Sequence, residues 1–141
     1  MDEEGRVGIL MCAGCAFVCL FLFVSIALTE VAMQDRRLVS CADALASAGV
    51  SGASASTVFA GGSFGVDEEM ASSRVDRALA GLSDSTCRVG DGVSVSWVSV
   101  SGGEMEVGVR AHPRVSLLPQ VLRNAVVPEL VRTSSARLRG V

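Results

Sequence analysis

The first part of the chain is a long apolar run that passes into an amphipathic pattern. Between Val7 and Thr29 no residue is charged. About 20 apolar residues in a helix cross a hydrocarbon layer of roughly 30 Å. The run therefore predicts a transmembrane helix over 7–29, after a short leader at 1–6. We expect a single-pass protein of the cell membrane, with the lipid bilayer around this helix.

Other interpretations of the apolar run fit less well. A chain this short could not cover the run on all sides as a buried core helix. A cleaved signal peptide has a positive start and a shorter apolar region, whereas Asp2, Glu3 and Glu4 are acidic. A lipoprotein anchored at Cys15 would have too little apolar sequence before it. We expect the helix to be retained as an anchor.

The helical pattern continues beyond the apolar run. Residues 30–50 contain no proline, and their apolar positions recur at helical spacing on one stripe: Val31, Leu38, Cys41, Ala42 and Leu45. Gly49, followed by Ser51 and Gly52, predicts the end of the helix. The sequence thus predicts one helix of roughly 40 residues, about 60 Å long, then a Gly/Ser-rich linker over 51–66. Phe59 and Phe64 in that linker are candidates to pack onto the domain that follows the linker.

A small α+β domain is predicted over 67–132. Residues 67–82 form an amphipathic helix with these apolar positions: Met70, Val75, Ala78, Leu79 and Leu82. Alternation over 87–100 and 104–109, with a turn at 101–103, predicts an antiparallel β-hairpin. A hairpin alone is marginal, so we assign a third strand to Arg114–Leu118. We expect a short helix over 119–132, interrupted near Pro128, and a flexible tail over 133–141.

Composition and charge narrow the classes of function. The net charge is −3, and all twelve basic residues are scattered arginines, which leaves no basic patch for a nucleic-acid partner. The single histidine, His112, precedes a proline and is interpreted as a turn residue. The acidic residues 67–69 suit the first turn of a helix without a metal ion. We therefore expect no enzyme, no cofactor, no metal site and no small-molecule substrate.

The five cysteines fall into two groups. Cys12, Cys15 and Cys19 lie on one helix face, where with Gly8 they are either apolar filler or a packing face for another helix. Cys41 and Cys87 lie outside the apolar run. They form either a disulfide, which would close a loop of about 46 residues and stabilise the domain by roughly 4 kcal/mol, or two free thiols.

Orientation is indicated by two opposing signals. Arg36 and Arg37 follow the helix whereas Arg6 precedes it, which weakly favours a cytoplasmic C-terminal part. A disulfide would favour an extracytoplasmic domain instead.

The helical segment that follows the apolar run, residues 30–50, is called the stem below, and its sequence resembles a known family. The segment 36–48 carries four alanines, one acid and one leucine: Ala42, Asp43, Ala44, Leu45, Ala46 and Ala48. Together with the preceding apolar helix, it resembles the TadE/TadG-like family of Flp-type pilus-assembly proteins over roughly residues 5–50. The resemblance implies a pilin-like fold, an extracytoplasmic domain and leader cleavage after Gly5, although Leu10 stands where such leaders carry Glu.

Two functions follow from these observations. The resemblance implies a membrane-anchored, pilin-like structural subunit of a Flp/Tad-type pilus or a related secretion apparatus, whose partners are other pilin-like subunits or pilus-assembly membrane proteins. The alternative is a single-pass membrane-anchored binding or regulatory module without enzymatic activity, with the hairpin as its recognition edge.

Overall fold

The chain forms two helices followed by a three-stranded antiparallel sheet, an α+β arrangement. The computed structural model describes residues 3–60, 68–101, 104–119, 121, 125 and 127–137, and the side chains of α1 from Gly5 to Ser51. The elements are α1 (Glu3–Ala60), α2 (Glu68–Leu82), β1 (Val93–Ser101), β2 (Glu104–Ala111) and β3 (Leu130–Arg137). The strand order is β1-β2-β3.

Helix α1 runs without a break from the apolar segment into the domain, as predicted, but its predicted end at Gly49 is wrong. The helix has 58 residues and continues to Ala60, through most of the predicted linker. One reason is composition: residues 51–60 contain only one glycine, and a single glycine costs a helix about 1 kcal/mol, which is insufficient to end it. Residues 61–66, with Phe64, and the side chain of Phe59 lie outside what is described.

The core forms where the stem half of α1 packs against α2, β2 and β3. The predicted stripe on α1 is confirmed, because Leu38, Cys41, Ala42 and Leu45 are fully buried. Its partners are mostly small or medium aliphatic side chains, such as Ala71, Val75, Met105, Val107 and Val109. On α2 the predicted Met70 is exposed, and Ala71 is buried in its place.

The predicted hairpin is confirmed, with one irregularity. Strands β1 and β2 pair from Val93↔Ala111 to Ser101↔Glu104, and the register shifts between Val95 and Trp97. A bulge adds one residue to one strand and reverses the faces beyond it. Val98 therefore points inward, while Trp97 lies on the outer face, 39% exposed.

The predicted third strand at Arg114–Leu118 is wrong. That segment contains a turn, closed by the Leu118 N–H donating to the Val115 carbonyl at 3.3 Å. The third strand is β3, which pairs with β2 from Ala111↔Leu130 to Glu104↔Arg137. The predicted helix over 119–132 and the flexible tail over 133–141 are therefore corrected: 130–132 and 133–137 are strand. Val121 and Ala125 are helical, and positions 120, 122–124 and 126 lie outside the described residues.

Candidate functional site

The N-terminal half of α1 is an uncovered apolar surface. Its large side chains are exposed along the whole apolar run, from Leu10 at 78% to Phe17 at 69% and Leu28 at 66%. Among the described residues, α1 is the one helix long and apolar enough to cross a membrane. Ser25 and Thr29 near the end of the run donate their hydroxyl hydrogens to the carbonyls of Phe21 and Ser25, each at 2.8 Å. These bonds satisfy the hydroxyl donors without water.

The predicted packing face lies on this surface. Cys12, Cys15 and Cys19 are free and exposed. A Cβ added at Gly8 on the same face would meet no atom within 4 Å. The face is therefore open to close approach by another helix.

The stem is fastened to the domain directly above the apolar run. The Ser116 N–H donates to Glu30 Oε2 at 3.0 Å. One turn later, the Arg114 N–H donates to Gln34 Oε1 at 2.7 Å, and the Gln34 amide donates back to the Arg114 carbonyl. The first polar turn of α1 thus supplies the hydrogen-bond partners of a loop that would otherwise have exposed backbone groups.

A second set of contacts joins the stem to β3. Arg132 Nη2 donates to Asp35 Oδ2 at 2.9 Å, and Arg132 Nε lies 2.8 Å from the buried Asp35 Oδ1. The hydrogen bond with Asp35, and then its charge, raises the pKa of Arg132. Further along, the Ser134 hydroxyl donates to Asp43. The stem, loop and β3 are thereby held as one unit.

Sequence reasoning missed these junction residues. Glu30 and Gln34 stand four positions apart at the start of the polar part of α1, which places them on one face. That spacing is the feature of the sequence that could have identified these two residues as a pair. Their partners lie 80 or more positions away, and pairing over that distance leaves no periodic trace in the sequence.

Cys41 of the stem and Cys87 are joined by a disulfide across 46 positions. Cys87 lies in the turn that follows α2, where its N–H donates to the Leu82 carbonyl at 3.0 Å. The next turn docks on the chain after β2: the Asp91 N–H donates to the His112 carbonyl at 3.2 Å. Gly90 has φ +52°, and a Cβ there would collide with that carbonyl oxygen, so this turn requires glycine.

The family-like motif on the stem is part of the domain core. Ala42, Leu45 and Ala46 are buried, and Asp43 is exposed on the side that meets β3. Small side chains allow α1 to lie close to the sheet. In this structure, then, the motif has a packing role within the chain.

The remaining predicted residues are dispersed. His112 follows β2, exposed, with Nε2 3.7 Å from Glu129 Oε1. Glu68 and Glu69 lie in the first turn of α2, as predicted, and Asp67 is outside the described residues. Within the described part of the chain, no three His, Cys, Asp or Glu side chains are grouped to hold a metal ion. Gly5 lies within α1, with no atom near its Cβ position.

Comparison of the chain with protein-family models, with curated proteins and with solved structures gives no match.

Proposed function

We propose that this chain is a membrane-anchored, pilin-like structural subunit without enzymatic activity, of a Flp/Tad-type pilus or a related secretion apparatus. The observation that carries the proposal is that one continuous helix, α1, contains the apolar run and also a central part of the domain core. Its apolar run is uncovered, and its buried residues between Leu38 and Val50 form a central part of the domain core.

This continuity favours a subunit over a tethered recognition module. No loop separates the apolar run from the domain, because contacts to the domain begin at Glu30, one residue after Thr29. A module that only captures a partner does not need a fixed position above the membrane, and a flexible linker would be sufficient for it. An assembly subunit needs its outer domain at a fixed height and orientation above the helix that packs with its neighbours.

The apolar half of α1 supports the same conclusion. Helices associate in lipid through close backbone approach at small residues. Gly8, Cys12, Cys15 and Cys19 give α1 such a face, and in this chain it is uncovered. We propose that this face packs on other single-pass, pilin-like helices.

The disulfide supports an extracytoplasmic domain. Disulfides persist in oxidising compartments and are rare in the cytosol, so the Cys41–Cys87 bond favours placing the domain outside, against the weak arginine signal. A membrane-impermeant maleimide tests this in intact cells of a Cys12→Ser/Cys15→Ser/Cys19→Ser variant that carries an exposed reporter thiol, Ser101→Cys, because Cys41 and Cys87 are buried. Labelling of the reporter in intact cells supports the proposal, whereas labelling that requires membrane rupture contradicts it.

Assembly is tested by crosslinking in the native membrane. A photo-crosslinking amino acid replaces Cys15 on the packing face or, as the matched control, Phe17 on the opposite face. We expect adducts from position 15, identified by mass spectrometry as small proteins with an apolar N-terminal helix, and few from position 17. Equal yields from both positions, or lipid adducts alone, would favour the single-pass binding module instead.

A further inference from the structure

We propose that the turn Val115–Leu118 is a second membrane contact, whose apex lies in the lipid headgroup layer beside α1. The inference rests on the proposed membrane anchoring and adds a second contact between the protein and the bilayer. Its consequence is that the domain is held against the bilayer at two points, the helix and the turn, so that its rotation and tilt are fixed.

The direction of the chain at the junction carries the inference. Arg114 is bonded to Gln34, and two residues later Ser116 is bonded to Glu30. The loop therefore runs down α1 towards the apolar segment. Four residues of helix rise about 6 Å, which two extended residues match at about 3.3 Å each. The loop reaches the level of Glu30, directly above Thr29, at Ser116.

At that level the chain reverses. The hydrogen bond from the Leu118 N–H to the Val115 carbonyl makes Ser116 and Leu117 the central residues of the turn. The first residue of the turn fixes its position on the domain, because the Val115 side chain is 2% exposed and packed in the domain. Its apex is thus fixed at the boundary where the apolar part of α1 begins.

The exposed side chain at this apex suits a lipid interface. Leu117 is 47% exposed. An exposed leucine next to a membrane helix gains from entering the interfacial region. The Glu30 carboxylate at the same level accepts the Ser116 N–H through Oε2, and it marks the polar side of this boundary.

The opposite end of the domain provides an internal comparison. The hairpin tip, at Ser101 and Glu104, pairs with Arg137 at the far end of β3. Met105 beside it lies against Gly49 of the stem. The tip is therefore about 30 Å further along α1 than Glu30, beyond the reach of the headgroup layer.

The test uses spin labels on the full chain in phosphatidylcholine–phosphatidylglycerol vesicles. In a Cys12→Ser/Cys15→Ser/Cys19→Ser background, one nitroxide is attached through Leu117→Cys, Ser101→Cys or Leu22→Cys. Collision rates with oxygen, which concentrates in lipid, and with a water-soluble nickel complex report depth. Mass spectrometry of non-reducing digests checks that the Cys41–Cys87 bond is intact in each variant.

We expect the oxygen-to-nickel collision ratio at position 117 to exceed that at position 101 several-fold, and to lie below that at position 22. Lipid exposure at 22 with water exposure at 117 overturns this inference but leaves the anchor standing. Water exposure at 22 overturns the membrane anchoring itself and the inference with it. Shielding of 117 from both reagents shows that protein, such as a second copy, covers the turn, and it also overturns the inference.

Discussion

Gly49 of α1 lies directly against the end of the Met105 side chain from β2. A Cβ at position 49 would overlap the Met105 sulfur and methyl group and would also contact Val75 of α2. Met105 is 1% exposed and Val75 is fully buried. Three elements therefore meet at a glycine in the middle of a helix, and its missing side chain sets how closely α1 approaches the sheet.

Replacing Gly49 with alanine should destabilise the domain. The overlapped atoms are the flexible end of Met105, but this side chain is 1% exposed, so moving it displaces other core atoms. Overpacking a filled core costs about 1–3 kcal/mol, which exceeds the gain of up to about 1 kcal/mol from alanine's helix propensity. We expect the free energy of unfolding to fall by about 1 kcal/mol, measured by urea unfolding in mild detergent.

Gly81→Ala is the matched control for this substitution. Gly81 lies in α2, with no atom within 4 Å of its Cβ position. At that position only the helix propensity changes, so the free energy of unfolding should be unchanged or should rise by up to about 1 kcal/mol. Equal effects at both positions would contradict the role assigned to the Gly49–Met105 contact.

Removing the disulfide should cost more than any of these substitutions. The double variant Cys41→Ala/Cys87→Ala opens a loop closed across 46 positions, which removes roughly 4 kcal/mol in the chain-entropy model. The core is built mainly from small aliphatic residues, so we expect the domain to become protease-sensitive at 37 °C. The triple variant Cys12→Ser/Cys15→Ser/Cys19→Ser should keep the resistance of the parent. Resistance retained by the double variant would show that packing alone holds the domain.

The Gln34 side chain should control the order of the loop at the stem base. Gln34→Ala removes both hydrogen bonds to Arg114 and should lower stability by about 1–2 kcal/mol, because each contributes about 0.5–1.5 kcal/mol. Gln34→Glu keeps the acceptor for the Arg114 N–H but loses the donor, so its effect should be smaller. Amide hydrogen exchange at Arg114 should be fast in the first variant and intermediate in the second.

The space over Gly108 should determine the environment of the only tryptophan. The Trp97 indole covers Gly108 on the outer face of the sheet, and a Cβ at position 108 would overlap it. Gly108→Val should displace the ring into water and shift its fluorescence to longer wavelengths. Gly81→Ala, remote from the sheet's outer face, should leave the emission unchanged. A spectrum that does not move with Gly108→Val would mean that the ring is not held there.

The local pattern of apolar and polar residues was sufficient to predict part of the fold. Four features each appear in a short continuous window of sequence, because their periodicity follows from the backbone. They are the apolar run, the stem stripe at Leu38 and Leu45, helix α2 and the β1–β2 hairpin. Strand β3 was missed for the same reason. Its sequence has only Leu130, Val131 and Ala136 as apolar residues, and its place in the sheet comes from pairing with β2.

Long-range partnerships explain the other corrections. Gly49 was interpreted as a helix stop, since glycine disfavours helix, yet it is retained inside the helix for close packing on Met105. The segment 114–118 has strand-like composition, but its backbone bonds to Glu30 and Gln34, so it forms a turn. In each case a distant side chain outweighed a local preference of about 1 kcal/mol.

The sequence by itself determined a long helix, apolar first and amphipathic afterwards, followed by a helix and a hairpin, because hydrophobic periodicity is a local property of the chain. It also named Cys41 and Cys87 as a candidate pair while leaving free thiols open. Only the tertiary structure decided that these cysteines meet, that β3 completes the sheet, and that the domain is fastened at Glu30 directly above the apolar run. Those features join residues 19 to 86 positions apart, and packing in three dimensions selects them.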